Sequence, residues 1–337
     1  MRIISIANQK GGCGKTTTAI NLSACLSLHE RKVLLIDMDP QGHSGMGFNI
    51  NTNELKKTVY DVLDNSEGAK IVLDDVTVQV AENFDIAPSS IVLSAFEQRQ
   101  SMAQGRESKL KQGIEGLNQI YDYIMIDCPP SLGLLTFNSL MASTEVFIPI
   151  EMGFFSLHGT GKLLEIIDLV RHRTGHEIRV KVIATMYDTR TRIAHQVLQD
   201  IKDHFKDSMF LTVINSNVKL KEAASFGKSI VDYATKSPGY RDYMALAEEV
   251  IAEERILGVV MPTEQKRQFF QPIKAEKQFF FRAPEANSVR IVGNFNNWMP
   301  TDEYLMERNE DGIWLKALTL APGEYQYKFI VSAAKQP

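Results

Sequence analysis

The run Asn8-Gln9-Lys10-Gly11-Gly12-Cys13-Gly14-Lys15-Thr16-Thr17-Thr18 follows a short Ile-rich stretch, residues 3–7, and precedes a helical pattern that begins near Lys15. Glycines at a strand-to-helix turn let backbone N–H groups point inward, and the helix amino end adds its positive dipole, so the turn is suited to a phosphate. Lys15 is placed to neutralise β- and γ-phosphate oxygens and Thr16 to ligate Mg²⁺. A glycine turn alone is common; strand, glycines, Lys-Thr pair and helix in this order form a specific signal. The spacing departs from the ordinary pattern in one respect. Position 9 is Gln where glycine is usual, and an additional lysine, Lys10, stands just before the glycine pair.

Outward from this turn, the β-branched runs at 32–36, 123–126, 145–150 and 180–185 read as buried strands, being short, rich in Ile and Val and not alternating. Helical patterns over 15–28, 157–173 and 194–205 separate them, and in the last Val197, Ile201 and Phe205 share one face. The alternation predicts an α/β fold with a doubly wound, mostly parallel sheet over residues 1–257. In such a sheet, side chains at the strand carboxyl ends face the ligand crevice. Asp37 and Asp39 after the second strand, and Asp127 after Tyr123-Ile124-Met125-Ile126, therefore become candidates. Cys13 lies at a helix amino end, which lowers a thiol pKa, but it reads as a small filler of a variable loop position, as does Cys128. His43 reads as an exposed loop histidine.

The character changes after position 257. Met261-Pro262-Thr263-Glu264-Gln265-Lys266-Arg267-Gln268 is polar and marks a linker over 258–274. Residues 275–337 then lose the helical period and show short aromatic and β-branched runs at 278–282, 288–292, 312–320 and 324–331, broken by turns, as in a small immunoglobulin-like β-sandwich. The composition of all 337 residues, 44% apolar with 37 basic against 41 acidic side chains, excludes collagen-like and disordered classes. Three cysteines without a CxxC spacing give neither a zinc site nor a disulfide framework. No apolar run approaches the roughly 18 residues of a membrane span, and the amino terminus lacks a signal peptide's apolar core; a cytoplasmic protein is expected. The net charge of −4 argues against a DNA-packaging protein but leaves room for a local basic patch.

The segment Lys10-Gly11-Gly12-Cys13-Gly14-Lys15-Thr16 is the deviant Walker A pattern, and the chain resembles the ParA/MinD family of dimeric ATPases. The resemblance implies that Lys10 reaches across a homodimer to the partner's nucleotide, with two ATP molecules sandwiched between the subunits. Gly11, Gly12, Cys13, Gly14, Lys15, Thr16 and Thr17 would cradle the nucleotide, Asp39 would orient or activate the attacking water, Asp37 would support the metal shell, and Asp127 would hold Mg²⁺. Phe154 to Gly159, Thr185 to Thr191 and Val218 to Lys228 look like chromosomal, Soj-type ParA proteins, over residues 1 to about 257. That likeness implies a weak Mg²⁺-dependent ATPase that binds DNA non-specifically through Arg190 and Lys219, associates with the nucleoid when ATP-bound, and is stimulated by a ParB-like centromere-binding protein or cargo adaptor. The family's Ile-Pro-Arg-Asn is replaced by Ile214-Asn215-Ser216-Asn217, with adenine contacts assigned to Asn215 and Asn217. The pattern at 240–257 carries Glu248, Glu249, Glu253 and Glu254, which oppose an anionic membrane; no membrane partner is expected.

Val289 to Trp298, Gly312-Ile313-Trp314 and Leu320 to Val331 resemble the glycogen-binding module of AMP-activated kinase β-subunits and the amino-terminal domain of branching enzymes. By that likeness Trp298 stacks on a sugar and Lys328 supplies a polar contact, while Trp314 belongs to the core. The module's second stacking tryptophan has no counterpart in Ser332 to Pro337. A second reading therefore stays open: a nucleotide-switched scaffold that uses this module to reach a glycan or a cargo protein, without DNA.

Overall fold

The computed structural model describes residues 1–52, 54–64, 71–100, 103–153, 156–256, 275–296, 298–309, 312–320 and 325–333. The expected linker over 258–274 lies outside them, as do Phe154-Phe155 and the turn residues Glu310-Asp311 and Ala321-Pro322-Gly323. The chain divides into two compact units, Met1–Val259 and Val260–Pro337.

The first unit is built on an eight-stranded sheet in the order β3-β4-β2-β5-β1-β6-β7-β8, formed by β1 (Arg2–Ile6), β2 (Val33–Asp37), β3 (Val78–Ala81), β4 (Phe84–Ala87), β5 (Tyr123–Asp127), β6 (Glu145–Glu151), β7 (Arg179–Tyr187) and β8 (Met209–Asn215). Only the edge strand β3 runs antiparallel, against β4. Helices α1 (Lys15–Leu28), α2 (His43–Met46), α3 (Val59–Asp64), α4 (Ser94–Arg99), α5 (Lys109–Glu115), α6 (Leu134–Ala142), α7 (Ser156–Thr174), α8 (Arg192–Phe205), α9 (Val218–Ser225), α10 (Ile230–Tyr233) and α11 (Pro238–Ile256) connect them. β2 and β5 are buried at every residue, as parallel strands covered on both faces must be. Ile4, Ile6, Leu35 and Phe147 pack under α1 and α11 on one face, while Leu34, Ile36, Ile126 and Ile148 pack on the other. Val197 and Ile201 of α8 are buried, as the four-residue spacing predicts.

The carboxyl ends of the parallel strands meet at one pole and carry the candidate site. The opposite pole is closed by charge. Arg2 is buried and gives a bidentate pair to Glu145 at 2.6 and 2.8 Å, and its Nη1 donates to the Val250 carbonyl of α11 at 2.6 Å. Glu253 of α11 receives Arg179 at 3.2 Å and Lys181 at 2.9 Å, while Glu254 accepts from the Tyr123 hydroxyl and pairs with Arg31 at 3.0 Å. Buried charges in this number persist only because each has a partner.

In the second unit, β9 (Ala275–Arg282), β10 (Ala286–Gly293), β11 (Glu307–Arg308), β12 (Ile313–Leu320) and β13 (Tyr327–Ala333) form two antiparallel sheets, β11-β12-β9 and β10-β13. Phe279, Val289, Ile291, Met306 and Trp314 make its core, and the Trp314 indole donates to the Ala283 carbonyl at 2.8 Å.

Candidate nucleotide site

Between β1 and α1 the backbone turns through Gly12 and Gly14 at φ 75° and 92°, left-handed values that favour glycine. α1 starts at Lys15 with Gly14 as its cap and no side chain closing its first N–H groups, so those donors remain open to an anion. The loop is held from outside: Asn8 Nδ2 donates to the Pro149 carbonyl at 2.7 Å, the Lys10 N–H donates to Asn8 Oδ1 at 3.0 Å, and the Thr185 hydroxyl donates to the Cys13 carbonyl at 2.9 Å. Lys15, almost fully buried, stretches back across the loop and donates to the Lys10 carbonyl at 3.0 Å. Cys13 is fully buried with its thiol on the same carbonyl at 3.2 Å, and burial raises its pKa; it fills space, as expected, and is no reactive thiolate. Burial pushes Cys128 up to about 12.

Three carboxylates stand beside this loop. Asp37 is fully buried and accepts the Asp39 N–H on Oδ1 at 3.0 Å and the Ser44 N–H on Oδ2 at 3.1 Å, so both oxygens position backbone. Asp39 accepts the Gln41 N–H at 2.9 Å. Asp127 receives the Ser44 hydroxyl on Oδ2 at 2.8 Å, whereas its Oδ1 is buried without a hydrogen bond from any described residue. Burial pushes the Asp127 carboxyl up to about 6, opposed by the Ser44 and Thr16 hydroxyls and by the Lys15 charge. Burial and the Asp127 charge hold Asp37 well above the carboxylate range. An orphaned acidic oxygen near a threonine hydroxyl fits a hydrated Mg²⁺, a hard cation that takes oxygen ligands and keeps several waters.

Lys10 pairs with Glu151 at the end of β6 in its own chain, where the sequence resemblance implies a reach toward a second subunit. Arg190 forks onto Asp188 at 2.8 and 2.7 Å, and Lys219 pairs with Glu222 at 2.7 Å. Both cations follow neighbouring strands, since the Ser216 N–H donates to the Tyr187 carbonyl at 2.9 Å. A small cavity of about 140 Å³ lies between Gly14, Thr17, Met186, Asn215 and Asn217. Asn215 spends its Nδ2 on Asp242 at 3.0 Å, and Asn217 spends its Oδ1 capping α9 at 2.8 Å. His43 opens the short helix α2 and is exposed, so the loop expected there is partly helical. Sequence reasoning missed the roles of Ser44, Glu151 and Thr185; Glu151 and Thr185, toward strand carboxyl ends, carried a usable signal.

An AAA domain family model matches residues 1–180. The sporulation initiation inhibitor protein Soj of Bacillus subtilis (strain 168) is 43% identical over 253 residues, covering 74% of this chain and 98% of that protein. The chain belongs to the ParA/MinD family of ATPases. The chromosome partitioning protein ParA of Myxococcus xanthus is 40% identical over 254 residues, 75% of this chain and 89% of its own length. A solved cobyrinic acid a,c-diamide synthase of Mycobacterium smegmatis, with bound ATP analog and magnesium, superimposes with a TM-score of 0.66 at 30% identity, over 78% of this chain and 99% of that one. Residues 270–336 match carbohydrate-binding module 48, the isoamylase N-terminal domain. Among the described residues of this ParA/MinD member, no helix is long and apolar enough to cross a membrane.

Proposed function

We propose that the chain is an ATP-driven switch that dimerises around two nucleotides, binds DNA without reading sequence, and moves or positions a chromosome, plasmid or other cargo. The observation that carries this reading is the division of labour between two lysines. Lys15 donates to the Lys10 carbonyl within the phosphate loop, while the Lys10 side chain pairs with Glu151; this separation supports a role for Lys10 toward a phosphate other than its own. In this reading Mg²⁺, bound by Thr16 and through water by Asp127, offsets the phosphate charge. Lys15 binds the phosphate oxygens, Asp39 holds the attacking water, and Lys10 of each subunit contacts the other's ATP. Asn215 and Asn217 meet the base. A ParB-like or cargo-adaptor protein stimulates turnover, which is slow alone, and the ATP form resides on the nucleoid. Arg190 and Lys219 are the phosphate contacts, and dimerisation doubles their number.

The Arg190→Glu variant tests it. Full-length protein with ATP and Mg²⁺ is expected to retain mixed-sequence duplex DNA in a salt-sensitive manner, and the variant to bind at least about 10-fold more weakly, because each lost phosphate contact acts twice in a dimer. Absence of ATP-dependent retention by the wild type would sink this reading.

One observation favours the second reading, that of a nucleotide-switched scaffold targeted to a glycan or cargo protein without DNA. Trp298 is 42% exposed and sits at φ 61°, a left-handed backbone held by its N–H to the Gly293 carbonyl at 2.9 Å, with the Lys328 ammonium 5.4 Å from its ring. Strained, outward-facing aromatics of this kind gather at ligand sites. The full chain is expected to be retained on glycogen and Trp298→Ala to lose that retention; no retention of the wild type leaves only protein docking for the module, and equal retention of both removes Trp298 from the glycan contact.

A further inference from the structure

The nucleotide pole and the helix that carries Lys219 are joined by a short mechanical path. Ser44 of α2 gives its N–H to Asp37 and its hydroxyl to Asp127, so α2 rests on the two buried carboxylates at the carboxyl ends of β2 and β5. Behind α2 the chain folds back, with the Asn49 N–H on the Met46 carbonyl at 3.0 Å and Asn49 itself at φ 57°. From there Asn49 Nδ2 donates to the Phe226 carbonyl at 3.3 Å, at the carboxyl end of α9. The Asn49 amide lies flat against Gly227, where a Cβ would collide with it, and Gly227 is itself left-handed at φ 63°. Phe226 stacks on Tyr233 at 5.5 Å. The Tyr233 hydroxyl donates to Glu222 at 2.9 Å, and Glu222 is the carboxylate that holds Lys219 at 2.7 Å. A cleft of about 420 Å³ lined by Thr16, Ile20, Met46, Leu220 and Lys228 opens beside this contact.

We propose that Asn49 and Gly227 act as a latch through which the Asp37–Ser44–Asp127 cluster sets the position of α9 and the release of Lys219 from Glu222. Asn49 is a positioning residue and touches no phosphate. The inference rests on the DNA-switch reading for its consequence, but the latch itself concerns only α2 and α9. A ligand shifts such an element only by its different affinity for the two arrangements, and coupling of 1–3 kcal/mol, about 5- to 150-fold, is the ordinary scale.

The experiment compares wild type, Asn49→Ala and Gly227→Ala as full-length protein. The readout is the ratio of affinity for mixed-sequence duplex DNA with ATP to that without nucleotide, by fluorescence anisotropy. Both variants are expected to lower this ratio at least about 10-fold while leaving ATP affinity and basal hydrolysis within about two-fold. An unchanged ratio in both variants overturns the latch. A wild-type ratio of one defeats the DNA reading instead, and hydrogen exchange over 218–225 then decides the latch: ATP should change exchange there in the wild type and not in Asn49→Ala, and an equal change in both overturns it.

Discussion

Replacement of Lys15 by alanine is expected to weaken ATP binding by at least about 100-fold, measured with a fluorescent nucleotide or by calorimetry at fixed Mg²⁺. Lys15 is 7% exposed and crosses the loop to the Lys10 carbonyl, so its ammonium is already desolvated and aimed within the cradle. A charge-assisted hydrogen bond is worth about 1.5–3 kcal/mol, and loss of about 3 kcal/mol corresponds to about 100-fold in affinity. The substitution also removes a charge that pulls the Asp127 carboxyl down, so the acidic cluster shifts further toward its neutral form. Nucleotide affinity within about 3-fold of wild type would remove Lys15 from the phosphate site.

The Asp127→Asn variant has the largest expected effect on stability, and in an unusual direction. The folded carboxyl sits at about 6 against an ordinary value of 3.8. Between these values the folded chain keeps a proton that the unfolded chain has lost. Stability is therefore fully present below about pH 4 for this group and falls as pH rises toward 6. The amide that replaces the carboxyl carries no such charge. At pH 7.5 the ligand-free variant should melt several degrees above wild type, with a flatter pH dependence between 4 and 6, and should lose the extra stabilisation that Mg²⁺ and ATP give the wild type. A variant that melts at or below the wild-type temperature with the same pH slope would show that the buried oxygen carries no such cost.

Much of this architecture was legible in the residues. The five strand patterns read from Ile and Val runs correspond to β1, β2, β5, β6 and β7, and α1 begins and ends at Lys15 and Leu28 as expected, because continuous apolar runs and a glycine turn are local signals. The β3–β4 hairpin was not legible. Its strands are four residues each, β3 is an alternating edge strand, and β4 takes its place only through register against β2. At the site, motif chemistry placed the glycines, Lys15 and the aspartates at one pole. It was silent on what holds them: Ser44 bridges Asp37 and Asp127 from a helix of four residues with no sequence signal, and the carboxylates that engage Arg190 and Lys219 lie two and three positions away on surfaces where charge is ordinary. Local sequence names a side chain's chemistry; its partners are decided by tertiary approach.

The charge network that closes the far pole has a practical corollary for visualising and handling this molecule. Arg2 binds the Val250 carbonyl, and Glu253 and Glu254 are gripped by residues at the amino ends of β5 and β7, so α11 terminates beside the place where β1 begins. The backbone entering the ATPase unit and the backbone leaving it share one end of the sheet, and the phosphate loop occupies the other. A dye attached at Met1, which is 58% exposed, would stand at the pole of the sheet away from the phosphate loop.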